Sequence, residues 1–414
     1  MSLTFDNSRL HNEYLTPSHD EWRNQLRRFF ENEIIPFADE WDECGSIPAD
    51  LWPKSAKIGI LGLNYPEEFG GSSEGIDIWH KNILNEELAR IAVGGVGATL
   101  MVHDIALPPI LKFADRKLCE MVIPPVLRGE KRISLAITEP SGGSDVASLS
   151  TKASLVDNHY IINGSKTYIT GGMNADWFTT AVRTGGEGAA GISTILIPSN
   201  LEGVTRTPLD RKQGWWCSDT ATIYFDNVRV PKNYLIGEEN QGFKVVMVNF
   251  NSERMGMSAA MEAASRVCLE DAAKWAGERK TFGRRLADHQ VIRHKFADMK
   301  QKINATQSYL NSVSRSIQLS IENAADIALL KVQSSQTLEF CAREAMQILG
   351  GAAYMRGNRV ERIYREVRVN AIGGGSEEIM KDLAARQYGY KYTRIICNQT
   401  LLPSAKVSAE FVLG

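Results

Sequence analysis

The sequence predicts a multi-domain α+β protein, with an N-terminal α-helical domain, a middle β domain and a C-terminal four-helix bundle. Apolar residues recur at helical spacing in the first part of the chain. Short β-branched and aromatic runs follow, and long stretches rich in Ala, Glu, Arg and Leu come last. The 414 residues exceed one typical domain. We place the domains at residues 1–132, 133–238 and 239–390, with a tail of unknown role at 391–414.

The N-terminal domain contains two helical patterns. In the first, large apolar residues recur every three or four positions between residues 22 and 34, and Pro36 marks a break. A loop rich in Gly, Pro and Ser occupies residues 59–75. The second pattern runs from Trp79 to Arg90, with its apolar residues on one side.

The middle domain is predicted from short runs of strand-forming residues separated by turn signals. The predicted strands are Thr151–Val156, Tyr160–Asn163, Trp177–Arg183, Ile192–Ile197 and Ala221–Phe225. The dipeptides Asp157-Asn158 and Asn163-Gly164 tolerate positive φ, so we expect a tight turn at each.

The C-terminal domain is predicted to be helical from residue 239 to about residue 388. Glycines at 350–351 and 373–375 interrupt the pattern. Four helices of roughly 15 to 30 residues fit this span as a bundle.

Composition excludes several function classes. A net charge of −2 without a long basic run offers no field for holding DNA or RNA. We find no apolar stretch of membrane-spanning length and a polar start, MSLTFDNSRLHNEYL, so we expect a cytoplasmic protein that is not in a membrane. Six scattered cysteines indicate reduced thiols. The seven histidines form no evident ligand set, and no metal is expected.

One glycine-rich stretch matches the dinucleotide-binding pattern G-x-G-x-x-G at residues 186–191. That fingerprint requires a strand, a tight turn and a helix, so that a phosphate meets the helix N-terminus. Here the match lies between two predicted strands. We therefore interpret it as a hairpin loop.

Three other stretches carry groups suited to binding a ligand. The first, at 135–148 (LAITEPSGGSDVAS), presents backbone amides and small hydroxyls in a turn. The second, at 163–172 (NGSKTYITGG), places Tyr168 and Thr170 beside a double glycine. The third, at 278–290 (ERKTFGRRLADHQ), places Arg279 where it could clamp a pyrophosphate. From the residues alone, a tight surface loop is the favoured interpretation of the first stretch, and a charged helix end is the alternative for the third.

Together, in this order, these stretches resemble motifs of the acyl-CoA dehydrogenase family. QILGGAAY at 347–354 and YREVRVNAIGGGSEEIM at 364–380 extend the resemblance, which spans about residues 20–388. It implies a helical domain, a β domain and a four-helix bundle. It also implies an FAD cofactor, an acyl-CoA substrate, a homotetramer built as a dimer of dimers, and electron-transfer flavoprotein as the electron acceptor.

The resemblance also assigns individual residues. Thr138 and Ser144 would lie against the flavin, with Tyr168 and Thr170 on its opposite side, and Ser144 and Arg254 would face the substrate. The residues implied to reach the FAD of a neighbouring subunit are Arg279, Thr281, Phe282, Gln290, Gln347 and Gly351. Those implied to touch the adenosine portion are Ser376 and Glu378.

The catalytic base is expected at Glu253. The reaction removes a proton beside the thioester carbonyl and a hydride from the next carbon, and it needs a carboxylate whose pKa is raised toward neutrality by burial. Many family members carry that carboxylate at the position of Gly374, which has none. A branch that resembles isovaleryl-CoA and long-chain acyl-CoA dehydrogenases carries it directly before an arginine, as Glu253 precedes Arg254.

Two further acids near the glycines are fallback candidates. Glu377 and Glu378 lie three and four residues beyond Gly374, where the resemblance implies structural and cofactor positions. The backbone amide of Gly374, with a ribityl hydroxyl of FAD, is implied to hydrogen bond the thioester carbonyl.

The acyl group is expected to be long or branched. Gly94-Gly95-Val96-Gly97 lies where bulky residues limit the acyl cavity of medium-chain relatives. Small residues leave room for a larger chain, and close helix packing or a helix break explains the same pattern equally well.

Three other activities compete with this expectation. An acyl-CoA oxidase would bind the same FAD but use oxygen, and such relatives tend to be longer. A nitroalkane-oxidase-like enzyme would need an aspartate base where this chain has Glu253. A flavin-binding protein without catalysis, including the DNA-associated type, is the third, and the mild acidity of the chain disfavours DNA binding.

Overall fold

The computed structural model describes residues 3–321 and 323–390. The predicted tail at 391–414 lies outside the described residues. Eight helices form the N-terminal part: α1 Pro17–Glu33, α2 Ala38–Cys44, α3 Leu51–Lys57, α4 Ile78–Arg90, α5 Gly94–Leu100, α6 His103–Ala106, α7 Pro108–Phe113 and α8 Arg116–Leu127.

Helices α1 and α4 form the centre of this domain. Helix α1 begins at Pro17 and gives way to a 3₁₀ turn at Ile35–Phe37, where the sequence predicted a break. Asp77 caps α4 by accepting the backbone N–H groups of Trp79 and His80. The apolar faces of both helices belong to one buried cluster, which confirms the predicted amphipathic pattern.

The middle domain is one twisted sheet of eight strands. They are β1 Ile133–Ala136, β2 Lys152–Val156, β3 His159–Thr170, β4 Trp177–Arg183, β5 Ile192–Pro198, β6 Val204–Pro208, β7 Thr220–Pro231 and β8 Leu235–Ile236. Their order is β6-β7-β3-β2-β4-β5-β8, and β1 pairs in parallel with β4. All five predicted strands are present. Three strands were not predicted, namely β1, β6 and β8, because β1 and β6 are short, β6 is half polar and β8 has only two residues.

Of the two turns predicted in the middle domain, one is present and one is not. Asp157 and Asn158 join β2 to β3 with φ values of 46° and 63°, as a two-residue hairpin turn requires. The predicted turn at Asn163-Gly164 is wrong, because both residues lie inside β3 at an irregularity in its pairing with β7. A Cβ at position 164 would lie 2.6 Å from Thr151 Oγ1, so glycine permits a bulge there. The stretch at 186–191 is a loop between β4 and β5, as predicted.

The C-terminal domain is helical. Its helices are α9 Gly242–Met247, α10 Phe250–Glu278, α11 Gln290–Gln318, α12 Ala324–Leu349, α13 Arg359–Ile372 and α14 Glu377–Gln387, with a small hairpin of β9 Lys280–Thr281 and β10 Arg284–Arg285. Helix α10 packs against α11, α12 and α13. The predicted breaks at the glycines are present, and the second one separates α13 from α14, a helix that packs on α12. The predicted fold class is confirmed.

Buried ion pairs join the N-terminal domain to the bundle. Arg23 of α1 donates to Glu86 of α4 at 3.0 Å, and Arg266 of α10 lies 3.3 Å from the same carboxylate. Arg266 also pairs with Glu262 at 3.0 Å. Since breaking such a pair would leave a buried charge uncompensated, the network fixes how α1 and α4 sit on α10.

The glycines at 94 and 95 are places of close packing. A Cβ at Gly94 would lie 2.2 Å from Trp215 Nε1 and 2.9 Å from Glu366 Oε2. A Cβ at Gly95 would lie 2.6 Å from Cys217 Sγ. Of the two interpretations left open by the sequence, close packing explains these two glycines. Gly97 differs, because a Cβ there would meet only an atom at 3.9 Å.

Among the described residues, no single helix is long and apolar enough to cross a membrane. Helix α5 and the segment His103–Phe113 pass that test only as a pair bent by 46°, and by length and composition alone.

We expect Gly94→Ala to lower the free energy of unfolding by about 1–3 kcal/mol, because the added methyl group overpacks the contact with Trp215 and Glu366. The matched variant Gly97→Ala should be neutral, or more stable by up to about 1 kcal/mol, because alanine favours the helix. Urea denaturation followed by tryptophan fluorescence measures both. Equal effects of the two substitutions would contradict the packing explanation.

Candidate active site

The loop after β1 is closed by a buried carboxylate. Glu139 accepts hydrogen bonds from the backbone N–H of Ser150 at 2.6 Å and of Thr151 at 2.9 Å, and from Lys166 Nζ at 2.8 Å. The Lys166 ammonium group is the main influence that lowers the pKa of Glu139 to about 2 against the effect of burial. The two ends of the loop are thereby tied together, and residues 140–145 are exposed between them.

The strand with Tyr168 is tied to the same loop. The backbone N–H of Thr167 donates to the carbonyl oxygen of Thr138 at 2.9 Å. A Cβ at Gly143 would lie 3.4 Å from Thr138 Cγ2, so the turn that carries Ser144 folds back onto Thr138. Tyr168 has φ 59°, and 71% of its surface is exposed. The structure therefore brings the first two predicted stretches together.

Glu253 and Gly374 meet although 121 positions separate them. Glu253 lies in the first turn of α10, and Gly374 lies in the turn between α13 and α14 with φ 65°. A Cβ at position 374 would lie 3.8 Å from Glu253 Oε1 and 2.7 Å from Met257 Sδ. The carboxylate of Glu253 thus lies beside the space that a side chain at 374 would enter.

The surroundings of Glu253 suit a base that works near neutral pH. Burial raises its pKa to about 7, and the negative charge of Asp104 in α6 also raises it. The positive charges of Arg254 and Lys331 lower it. Among the described residues, no hydrogen bond to the carboxylate contributes to this pKa. The carboxylate is therefore available to accept a proton.

Arg254 is directed to the glycine turn. Its Nε donates to the carbonyl oxygen of Gly374 at 3.0 Å, and its Nη1 lies 3.3 Å from Asn251 Oδ1. The side chain is buried. These contacts give Arg254 a role in holding the turn, and its predicted substrate contact stays a prediction.

The two fallback acids are engaged in other ways. Glu377 accepts hydrogen bonds from Ser335 Oγ at 2.6 Å and Gln336 Nε2 at 3.0 Å, which tie α14 to α12. Glu378 is exposed. Ser376 caps α14 by accepting from the backbone N–H of Ile379 at 3.4 Å. Neither acid faces Gly374 as Glu253 does.

The third predicted stretch forms the hairpin of β9 and β10. Phe282 at its tip has φ 50° and is 97% exposed. Thr281 Oγ1 lies 3.1 Å from His289 Nε2, which holds the hairpin to the start of α11 at Gln290. Three further predicted residues are also exposed: Arg279, Gln347 and Gly351.

Three sequence profiles of one family match the chain. The acyl-CoA dehydrogenase N-terminal domain matches residues 16–130, the middle domain matches 134–228, and the C-terminal domain matches 240–389. The mitochondrial long-chain specific acyl-CoA dehydrogenase of Rattus norvegicus is 33% identical over 89% of this chain and 86% of that protein. The chain belongs to the acyl-CoA dehydrogenase family.

Solved structures agree with this assignment. A probable acyl-CoA dehydrogenase from Mycobacterium abscessus is 40% identical, with a TM-score of 0.88 over 90% of this chain and 99% of that one. A chain from a structural study of the electron transferring flavoprotein of Acidaminococcus fermentans is 27% identical, with a TM-score of 0.85 over 91% of this chain and 99% of that one. The resemblance found in the motifs and the class of enzyme, an oxidoreductase acting on CH–CH bonds, are confirmed.

Acyl-CoA dehydrogenases bind FAD, and the residues present fit this cofactor. The exposed Tyr168 ring, held at a positive φ, offers a face to a planar group. The nearby hydroxyl groups of Thr138 and Ser144 can donate to or accept from polar ring edges. Nothing lies within 4 Å of a Cβ at Gly142, so the loop is open on that side. The contact of each residue with FAD stays a prediction.

Sequence reasoning missed the lysines that support this acyl-CoA dehydrogenase site. Lys166 and Lys331 are both fully buried. The ammonium group of Lys166 donates a hydrogen bond to Glu139, and that of Lys331 donates one to the carbonyl oxygen of Gly375. The signal in the sequence was a lysine inside an apolar run, as in Ala328-Leu329-Leu330-Lys331-Val332. A charged residue in such a run is a sign of a buried partner.

The sequence also did not foresee a cluster of His19, Asp77 and His80. Their ligand atoms lie within 4.8 Å of one another. Asp77 Oδ1 lies 3.0 Å from His19 Nε2 and 2.9 Å from His80 Nδ1. These hydrogen bonds join the starts of α1 and α4, and they account for the arrangement.

We expect Lys166→Met to lower the free energy of unfolding by about 3–5 kcal/mol, because it leaves the Glu139 carboxylate buried without its cation. The matched variant Lys131→Met removes an exposed ion pair with Asp176 and should leave the free energy of unfolding almost unchanged. Urea denaturation measures both. Adding Glu139→Gln to Lys166→Met should recover part of the loss, and no recovery would contradict the ion-pair explanation.

Proposed function

We propose that this acyl-CoA dehydrogenase oxidises a long-chain or branched acyl-CoA thioester to the trans-2-enoyl-CoA, with Glu253 as the catalytic base. The observation that carries the proposal is the position of Glu253 Oε1, 3.8 Å from where a Cβ at Gly374 would lie. A carboxylate on either backbone position would reach the same space. The missing side chain at 374 therefore fits an active enzyme whose base comes from α10.

The base removes a proton from the carbon next to the thioester carbonyl. A carboxylate whose pKa is about 7 is a stronger proton acceptor than an ordinary one, yet it is partly ionised at neutral pH. Burial is the main cause of that pKa, so the same environment that strengthens the base also keeps water away from it.

The thioester carbonyl needs a hydrogen-bond donor as the α proton leaves. The backbone N–H of Gly374 donates to no acceptor in the described part of the chain, which supports the role predicted for it. The contacts of Arg254 and Lys331 with the following carbonyl oxygens hold the turn. A fixed donor of this kind stabilises the charge that develops on the carbonyl oxygen.

FAD, when bound, supplies the acceptor for the hydride. The residues proposed to hold it are those predicted from the sequence: Thr138, Ser144, Tyr168, Thr170, Arg279, Thr281, Phe282, Gln290, Gln347, Gly351, Ser376 and Glu378. Phe282 and the other exposed members of this set support a homotetramer in which neighbouring subunits complete the FAD site.

The acyl group and the electron acceptor belong to the same proposal. The long-chain dehydrogenase of Rattus norvegicus supports a long acyl chain, whereas Gly94 and Gly95 no longer do, because side chains already fill the space beside them. The similar chain from the Acidaminococcus fermentans study supports electron-transfer flavoprotein as the acceptor. The predicted cytoplasmic location stays a prediction.

We expect Glu253→Gln to slow anaerobic bleaching of the oxidised flavin by acyl-CoA about 10²–10⁴-fold, because the amide cannot accept the α proton. The FAD content should be unchanged. Glu120→Gln, in the exposed part of α8, is the matched control and should bleach at the normal rate. A fully FAD-loaded protein that no long-chain or branched acyl-CoA bleaches would refute the proposed reaction.

The bleaching rate should rise with pH through about 7 and reach a plateau by about pH 8, because Glu253 must lose its proton before it can act as a base. Stopped-flow measurements between about pH 5.5 and 8 test this at saturating acyl-CoA. A rate that falls across the same range would show that another group, in its protonated form, limits the reaction.

A further inference from the structure

A buried lysine lies behind the glycine turn. Lys331, in the first third of α12, has no exposed surface, and its Nζ donates to the carbonyl oxygen of Gly375 at 2.7 Å. No carboxylate among the described residues forms a hydrogen bond with this ammonium group. Because a lysine is rarely buried without a partner, the hydrogen bond to Gly375 explains why Lys331 is buried at this position.

The turn between α13 and α14 is held at three successive residues. The N–H of Gly373 donates to Val369 at 2.7 Å, Arg254 Nε holds the carbonyl oxygen of Gly374 at 3.0 Å, and Lys331 holds that of Gly375 at 2.7 Å. Gly374 and Gly375 have φ values of 65° and 100°. Three glycines in a row have many accessible conformations, and these contacts select one of them.

We propose that Lys331 is a positioning residue of the active site, an inference that rests on the proposed function. By holding Gly375 it orients the peptide groups of the turn, so that the Gly374 N–H keeps one direction toward the thioester carbonyl. Its positive charge also favours the ionised form of Glu253. Lys331 touches neither substrate nor reacting atoms and acts through these two neighbours.

The charged groups around Glu253 set the expected effect on its titration. Arg254 on the same helix and Lys331 from α12 lower its pKa, and Asp104 from α6 raises it. Lys81 from α4 lies 3.9 Å from Asp104 and offsets part of that effect. Burial lowers the pKa of Lys331 to about 8, so the amine is still protonated at neutral pH.

Acids at the start of α14 also act on Lys331. Glu377 and Glu378 raise its pKa, while Arg254 lowers it. Glu377 is itself hydrogen bonded to Ser335 and Gln336. Removing the charge of Lys331 leaves these groups in place, so the change at Glu253 can be measured alone.

The experiment compares Lys331→Met and Lys331→Arg in the FAD-loaded protein. The readouts are the pH dependence of flavin bleaching and the exchange of the α hydrogen of the same acyl-CoA for deuterium from solvent. We expect Lys331→Met to move the midpoint of both profiles upward by about one pH unit and to slow exchange below pH 7 about tenfold. Lys331→Arg, which keeps the charge, should restore the midpoint.

The control is Lys381→Met, an exposed lysine that also lies near Glu377, at 3.9 Å. Its profiles should match those of the unsubstituted protein. If Lys331→Met lowers only thermal stability, and its midpoint and exchange rate are unchanged, the lysine is merely structural and the inference is overturned.

Three further outcomes keep the test decisive. If Lys331→Met does not fold, Lys331→Arg decides: the rate of the unsubstituted protein should decline above about pH 8 as Lys331 loses its charge, and the arginine variant should not decline. An equal decline in both overturns the inference.

If the unsubstituted protein reacts, Glu253→Gln does not and Lys331→Met is normal, only the inference about Lys331 fails. If no acyl-CoA reacts with the unsubstituted protein, the proposed function fails and this inference falls with it.

Discussion

The hydrogen bonds from Arg254 and Lys331 to two successive carbonyl oxygens hold the turn around which the active site is built. Four helices meet there: α13 ends at the turn, α14 begins after it, and α10 and α12 supply the two cations. Without these contacts the three glycines would leave the position of α14 and the direction of the Gly374 amide undetermined. Because the donors are charged and buried, each contact is stronger than an ordinary surface hydrogen bond.

Buried charge recurs wherever two parts of this chain must keep one relative position. Glu139 and Lys166 close the loop of the β domain, and Glu86 with Arg266 joins α4 to α10. Glu366 of α13 accepts from the backbone N–H of Gly94 at 3.0 Å. Apolar residues of the same size would often be as stable. Ion pairs of this kind also exclude other arrangements, since any shift leaves a charge without its partner.

Local patterns explain how much of this fold could be predicted from the sequence. Helical spacing located α1, α4 and the long helices of the bundle, and β-branched runs located five strands, because each element buries its own apolar face. The Asn163-Gly164 prediction failed because the glycine is needed for a different reason, a close approach to Thr151, the residue that precedes β2. Contacts of that kind do not appear in a local window.

The same limit applies to the active site. The sequence motifs identified Glu253 and Gly374 as related positions, and the structure shows that they share one space. Neither the motifs nor the spacing indicated Lys331, Asp104 or the ion pair behind the loop. These residues act through packing between distant segments. Likewise, the sequence could not decide between room for substrate and close packing at Gly94, because Trp215, which packs against that glycine, lies 121 positions away.

The short distance between Glu253 and position 374 has an evolutionary consequence. A glutamate added at 374 would bring a second acid to within a few ångströms of the first, and two such groups would share one proton instead of ionising together. One of the two acids would then stay protonated and could not act as a base, in a space that Met257 already crowds. We therefore expect a chain of this fold to carry the catalytic acid at position 253 or at position 374, but not at both. A lineage can move the acid between α10 and the turn only through a chain that has an acid at neither position, or through one that tolerates an acid at both.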